Sequence, residues 1–273
     1  MTVLMALCAF AEKGALIISS PLELQLFAVS PNGKWACGVI GDGQTTTLQG
    51  MLLNVETGEF TYLSTVDKSS ANDVTDDGMV VGSYTDYEVT GTGIGAQVAG
   101  YYKDGKWHRL DNSTVEGALP IGAEVYSVSS DGRTMVGYVM DGPKDSDLAP
   151  AMWVDGKLIA ILPHVGAGVA YTVSEDGKMA AGWAYKEGDN NRNIALWQTP
   201  ETVEYLSAFS SHAEAGRKFS PNGKLLVCEC FGHKFVYNLE TKTKTQLPMV
   251  TGEACWNQKM LFVDDNGLVL GSE

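Results

Sequence analysis

An all-β fold, a β-propeller of six four-stranded antiparallel blades, is predicted by three features of this 273-residue sequence. Glycine is in excess, at 31 residues or about 11% against the usual ~7%. The glycines are phased, recurring at a spacing of about 45 residues. Each period also holds four short apolar runs separated by turn residues, which is the content of one propeller blade.

Six segments carry the phasing. They read FAVSPNGKWACGVI (27–40), ANDVTDDGMVVGSY (71–84), YSVSSDGRTMVGYV (126–139), YTVSEDGKMAAGWA (171–184), RKFSPNGKLLVCEC (217–230) and MLFVDDNGLVLGSE (260–273). Their turn glycines are Gly33, Gly78, Gly132, Gly177, Gly223 and Gly267, at intervals of 45, 54, 45, 46 and 44 residues. Three places before each glycine stands Ser30, Thr75, Ser129, Ser174, Ser220 or Asp264. Such side chains open a type I turn by bonding forward to backbone N–H groups. Asn or Asp precedes the glycine, and glycine then takes the left-handed conformation that closes a hairpin with a bulge. Pro31 and Pro221 sit where a fixed φ suits the same turn. A second glycine ends the following run (Gly38, Gly82, Gly137, Gly182, Gly271), except in the fifth copy, where Cys228 replaces it. A glycine inside a strand signals close approach by another element.

Between these hairpins lie looser ones, at 50–63, 100–110, 151–162, 194–206 and 234–247. That makes six first hairpins and five second ones. The N-terminal stretch MALCAFAEKGALIISSP (5–21) has the shape of the missing second hairpin, with Glu12-Lys13-Gly14 as its turn. Strands from both ends of the chain would then close the last blade and leave no exposed edge. The rival reading takes residues 1–11 as a signal-peptide remnant, since Ala9-Phe10-Ala11 fits a small-x-small cleavage site although no Lys or Arg precedes the apolar run. In either case residues 1–273 form a single propeller domain.

The V-S-x-D-G…V-G pattern, followed by an A-x-L-W or A-M-W strand, resembles the HAF-type extracellular repeats of bacterial propeller proteins. The S-P-N-G-K copies at 30–34 and 220–224 resemble the S-P-D-G-K of TolB-type repeats. The resemblance implies a propeller and an extracytoplasmic setting (periplasmic, cell-surface or secreted). Those families contain binding and scaffolding proteins and some enzymes, and the matching residues are turn and packing positions, so no catalytic residue carries over.

Charge narrows the partners. The net charge of −14 argues against nucleic acid and against an anionic membrane surface, both of which need a basic footprint. No apolar run reaches the length that spans a bilayer.

In a propeller, the connections between hairpins share one face, which usually carries the binding surface. Two loop sets build it here: 41–49, 85–98, 140–149, 185–193 and 231–233 after the first hairpins, and 64–70, 111–124, 163–169, 207–215 and 248–258 between blades. His164, His212 and His233 fall in these loops on consecutive blades, and His108 falls on a strand. Three histidines could hold zinc, but no local ligand spacing supports it. Asp141, Asp145 and Asp147 lie in one loop, and Glu187 and Asp189 one blade on. Oxygen ligands of this kind could hold calcium, and two carboxylates across the channel could serve a glycosidase. The plainer reading is a solvated acidic loop. Trp256, in an inter-blade loop, could stack on a sugar or peptide, whereas Trp35, Trp107, Trp153, Trp183 and Trp197 read as blade packing.

Five cysteines do not describe a disulfide framework. Cys228 and Cys230 share a strand face and read as small buried hydrophobes, with Cys255 within reach of Cys230 as the alternative. Gly91-Thr92-Gly93-Ile94-Gly95 reads as a flexible loop, because no helix opens after it. The expectation is a monomeric, cofactor-free, non-enzymatic protein whose loops meet a protein or glycan partner. Calcium binding and a carbohydrate-active enzyme using loop carboxylates are the alternatives.

Overall fold

The turns form as their residues dictate. Ser30 Oγ accepts the Trp35 N–H at 3.0 Å and donates to Asn32 Oδ1 at 2.8 Å, and that oxygen accepts the Lys34 N–H at 2.9 Å. Gly33 closes the turn at φ +72°, donating its N–H to Ser30 O at 2.8 Å. The same lattice of bonds recurs at Ser129, Ser174 and Ser220, whose side chains are buried beneath their turns. All six turn glycines have positive φ, the region where a Cβ is costly. The turns also tie neighbouring blades together. Asp76 Oδ1 accepts the Asn32 N–H at 2.8 Å, and Asp265 Oδ1 accepts the Asn222 N–H at 2.9 Å.

In the computed structural model, residues 3–8, 15–20, 23–41, 48–64, 68–142, 147–206, 209, 213–248 and 259–272 are described. Strands β1 (Val3–Cys8) and β2 (Ala15–Ser20) form an antiparallel hairpin. Five four-stranded meanders follow. They are β3 to β6 (Glu23–Val29, Trp35–Gly41, Gln49–Asn54, Phe60–Tyr62) and β7 to β10 (Ser69–Val74, Val80–Asp86, Ala96–Lys103, Lys106–Arg109). Next come β11 to β14 (Glu124–Val128, Thr134–Met140, Leu148–Val154, Lys157–Ile161) and β15 to β18 (Val165–Val173, Ala180–Lys186, Asp189–Thr199, Thr202–Tyr205). The fifth comprises β19 to β22 (Ala213–Phe219, Leu225–Cys230, His233–Asn238, Thr243–Gln246), and a last pair is β23 (Lys259–Val263) with β24 (Val269–Ser272).

The predicted propeller of four-stranded antiparallel blades is therefore present, with a correction to its count. Five blades are complete, not six. Among the described residues, the sixth position of the ring holds β23–β24, with β23 packed against β3 on one side and β19 and β20 on the other. Among the described residues, the hairpin β1–β2 is a separate two-stranded sheet and does not pair with β24, so the expected closure by N-terminal strands is not seen there. The period correctly located the first hairpin of each repeat, but it carries no information on which distant strands pair.

Packing lies between blades. Trp153 and Trp197, equivalent in their repeats, are fully buried, and each bonds outward to the connection entering its own blade. Trp153 Nε1 donates to Asn112 Oδ1 at 2.8 Å and Trp197 Nε1 to Pro163 O at 2.9 Å. Trp107 Nε1 does the same with Leu63 O at 2.8 Å. These indoles fill the inter-blade layer and fix the loop above it, so a Trp→Ala change there costs about 3–5 kcal/mol.

The strand glycines have a specific cause. A Cβ on Gly38, Gly137 or Gly182 would lie 1.9 Å from a carbonyl oxygen of the first strand, that of Gln25, Glu124 or Val169. In the fifth blade Cys228 faces Gly216, so the space is exchanged across the strand pair rather than lost. Cys37 and Cys228 are buried free thiols, and Cys230 is buried on the same strand as Cys228. Burial pushes the Cys37 and Cys228 thiols well up, which keeps them protonated and inert.

Candidate ligand pocket in the central channel

The first strand of each blade faces the axis, and each carries a β-bulge at the same place. The pairing register skips Phe27, Asn72, Tyr126, Tyr171, Arg217 and Leu261, each six residues before its turn glycine. A bulged residue has no direct partner across the ladder, and the bulge re-aims its side chain. Phe27, Asn72, Tyr126, Tyr171 and Arg217 all line one cavity of about 410 Å³ on the axis. Ser70 and Glu124, two residues earlier on their strands, also line it. Glu229 and Lys218 also line it, as do Leu48 and Lys68, which belong to the two loop sets expected to build the binding face.

Beneath this pocket lies a cross-channel tie. Asp73, on β7, is 5% exposed and accepts Lys218 Nζ from β19 at 3.1 Å. Ser127 Oγ donates to its other oxygen at 2.7 Å, and the Val128 N–H at 3.2 Å. Three blades thus meet at one carboxylate. On the turn side of it lies a second cavity, of about 40 Å³, lined by Pro31, Ser130, Glu175 and Pro221 among others.

The pocket wall divides into three chemistries. Arg217 Nε donates to Glu229 Oε2 at 2.9 Å, and its guanidinium lies 4.3 Å from the Tyr171 ring centre. Buried Lys234 ion-pairs with the other oxygen of Glu229. Tyr126 and Tyr171 meet edge to face, with ring centres 4.9 Å apart. Beyond them, Glu124 Oε1 accepts Ser70 Oγ at 2.7 Å and Asn72 Nδ2 at 2.9 Å, while Oε2 takes a longer 3.3 Å contact from the Tyr126 hydroxyl. Burial, reinforced by the Glu124 charge, pushes the Tyr126 phenol far up, so it remains a donor at any physiological pH. The same causes push Tyr138, behind it, up to about 12. A carboxylate, an aromatic pair and a guanidinium therefore run in sequence around the wall.

The residues singled out from sequence lie elsewhere. Asp141 and Asp147 sit on the connection from β12 to β13, where the Asp141 N–H bonds Asp147 O at 3.2 Å. Glu187 is exposed in the β16–β17 turn, and Asp189 opens β17. The Asn191 N–H and the side chains of Asn191 and Asn193 bond Asp189 and hold its carboxyl below the usual range, as in a turn-forming residue. His164 lies just before β15, its Nδ1 2.9 Å from Leu162 O, and His233 opens β21 rather than occupying a loop. None of these lines the channel pocket. Asp145, His212, Trp256 and Cys255 lie outside the described residues. Among the described residues, no group of three His, Cys, Asp or Glu side chains is placed to hold a metal ion. No described helix is long and apolar enough to cross a membrane. The pocket residues could have been found by reading the position six before each turn glycine and asking why its identity changes while the residue two places on stays apolar (Val29, Val74, Val128, Val173, Phe219, Val263).

A channel pocket walled by the first strands of a ring of antiparallel meanders defines a ligand-accessible β-propeller. Solved structures agree on the fold. The chain is similar to TolB from Acinetobacter baumannii (TM-score 0.63, 17% identity), over 93% of this chain and 61% of that one. It is also similar to a TolB candidate from Agrobacterium tumefaciens (TM-score 0.55, 15% identity), over 85% and 83% of the two chains. A third similarity is to a chain from a structural and mechanistic analysis of two prolyl endopeptidases (TM-score 0.53, 11% identity), over 95% of this chain and 49% of that one. The chain thus spans about three fifths of the A. baumannii TolB chain. These likenesses establish a TolB-like propeller fold. No protein-family model matches the sequence, and no curated protein matches it.

Proposed function

We propose that this propeller is a non-enzymatic, extracytoplasmic binding protein that receives part of a protein or glycan partner in the mouth of its central channel. One observation carries the reading: the pocket is furnished by the six-before-glycine position, where a bulge frees the side chain from the ladder and its identity varies from blade to blade. The extracytoplasmic setting rests on the resemblance of the repeats to HAF- and TolB-type sequences. The alternative, a carbohydrate-active enzyme, needs two carboxylates free to act. The pocket acids are Glu124 and Glu229, and Glu229 is already held by Arg217 and Lys234, which favours binding over hydrolysis.

In this reading the chain acts as a monomer without a cofactor, and calcium on the 140–149 loop is checked by chelation, which would lower the melting temperature if the ion were resident. The main test is a thermal-shift screen of peptides and oligosaccharides on wild type and Lys68→Trp. Lys68 is exposed at the rim and its side chain takes part in none of the pocket hydrogen bonds described above, so the indole narrows the mouth and leaves the wall intact. Ligands should stabilise wild type and lose most of that effect on the variant. Equal shifts on both proteins, or turnover of a bound ligand, would refute the reading.

A further inference from the structure

The carboxylates of the channel are not equally satisfied. Asp73 has Lys218, and Glu229 has Arg217 and Lys234. Glu124 is met only by neutral donors, and no cation pairs with it among the described residues. Three of its contacts fall on Oε1, which leaves Oε2 with the long Tyr126 hydroxyl contact alone. A half-buried carboxylate without a counter-charge gains from a cation brought to its open oxygen. The Tyr126 ring beside it adds a face that attracts the same charge. Across the aromatic pair, Arg217 has only Nε committed to Glu229, so the two terminal amino groups of its fork are not taken up by that bond. Such a fork matches a carboxylate.

We infer that the pocket binds a zwitterion, with a primary ammonium at Glu124 and a carboxylate at Arg217, as in a free α-amino acid or a short peptide. This rests on the channel-binding reading and names the ligand class for it. Tyr126 and Tyr171 form the apolar wall between the two ends.

The test uses isothermal titration at neutral pH with four probes: phenylalanine, the dipeptide Phe-Ala, N-acetyl-Phe-Ala and Phe-Ala amide. N-acetylation should weaken Phe-Ala at least about tenfold, because it removes the charge facing a carboxylate. Amidation should weaken it by a smaller factor, because Arg217 keeps Glu229. Equal binding of phenylalanine and Phe-Ala identifies an amino-acid ligand, and tighter Phe-Ala identifies a peptide end. Glu124→Gln, which keeps the shape, should weaken Phe-Ala by a factor similar to N-acetylation and leave N-acetyl-Phe-Ala within about twofold. The probe comparison on wild type stands even if the variant folds poorly. No binding by any probe, or equal binding of Phe-Ala and its N-acetyl form, overturns the inference. A ligand lost on Lys68→Trp but lacking an amino group would overturn the zwitterion and leave the channel-binding reading intact.

Discussion

Replacing Asp73 with alanine should loosen the whole ring, and the size of the effect can be worked from its partners. The carboxylate sits at 5% exposure and holds Lys218 from across the channel, together with the Ser127 hydroxyl and the Val128 N–H. Breaking a buried ion pair from one side costs about 3–5 kcal/mol, because the other charge stays behind. The Lys218 side chain is 20% exposed and lines the water-accessible pocket, so it can turn partly toward solvent. That relief lowers the ion-pair cost, while the orphaned Val128 N–H adds roughly 1 kcal/mol or more. The expected net loss is about 3–4 kcal/mol. For a chain of this size that is a drop in Tm of roughly 6–16 °C. Lys218→Met alone should cost a comparable amount, since it leaves the carboxylate buried. The double variant should be more stable than the sum of the two losses by at least ~1 kcal/mol. Urea unfolding followed by tryptophan fluorescence measures all three. If the single losses are each below about 1 kcal/mol and simply add, the tie is not a buried interaction and the cross-channel argument fails.

Other outcomes follow from the turns, the channel and the strand glycines. Hydrogen bonds from Thr75, Ser129 and Ser174 hold Asp77, Asp131 and Asp176 below the usual carboxylate range. Their contribution is therefore present above the unfolded pKa of 3.8 and is lost as pH falls through the lower folded values. Since Asn32 and Asn222 already make the same turn, changing all three to Asn should flatten the acid limb of a stability–pH curve with little change at pH 7. Glu175 runs the other way. Burial, then the charges of Asp76 and Asp265, raises its pKa, so its stabilising share is present at low pH and is lost as pH rises through the folded value. Glu175→Gln should accordingly be more stable than wild type at pH 7 and indistinguishable below the ordinary glutamate pKa, by thermal melts across pH. Gly137→Ala would place a Cβ 1.9 Å from Glu124 O, and should cost about 3 kcal/mol or prevent folding. Cys228→Ala, at the equivalent place opposite Gly216, should cost only about 1 kcal/mol in the same melts.

The turns and the strand glycines were legible in the sequence because their causes are local. Ser30, Asn32 and Gly33 bond chiefly to one another and to the next two residues, so a single segment contains the whole argument. Gly38 was legible as a close approach, though not that the approaching atom is the Gln25 carbonyl. The fate of the ends was not legible. The apolar stretch at 5–21, turning at Glu12-Lys13-Gly14, fits the pattern of a missing half-blade, but the pattern holds no term for whether β24 is its neighbour. The channel residues were missed for the opposite reason. Phe27, Asn72, Tyr126, Tyr171 and Arg217 share a position but not one chemistry, and a search for clustered titratable or metal-ligating residues passes over them. The loop acids drew attention because they are adjacent in sequence, whereas Glu124 and Glu229 are brought to one cavity by strands 105 residues apart.

The bulge on each first strand has a consequence for how such a molecule can change. A residue in a regular ladder answers to a partner on the next strand, so altering it disturbs two positions at once. The skipped residue has no ladder partner, and its bonds run to other groups of the channel wall, as Asn72 to Glu124 and Arg217 to Glu229. Mutational drift, or a deliberate library at Phe27, Asn72, Tyr126, Tyr171 and Arg217, can therefore redraw the lining one blade at a time while the turns and inter-blade layers stay as they are. On the proposed channel-binding reading, recognition and folding are then written on different letters of the same repeat, and a lineage can search for new ligands without first searching for a new protein.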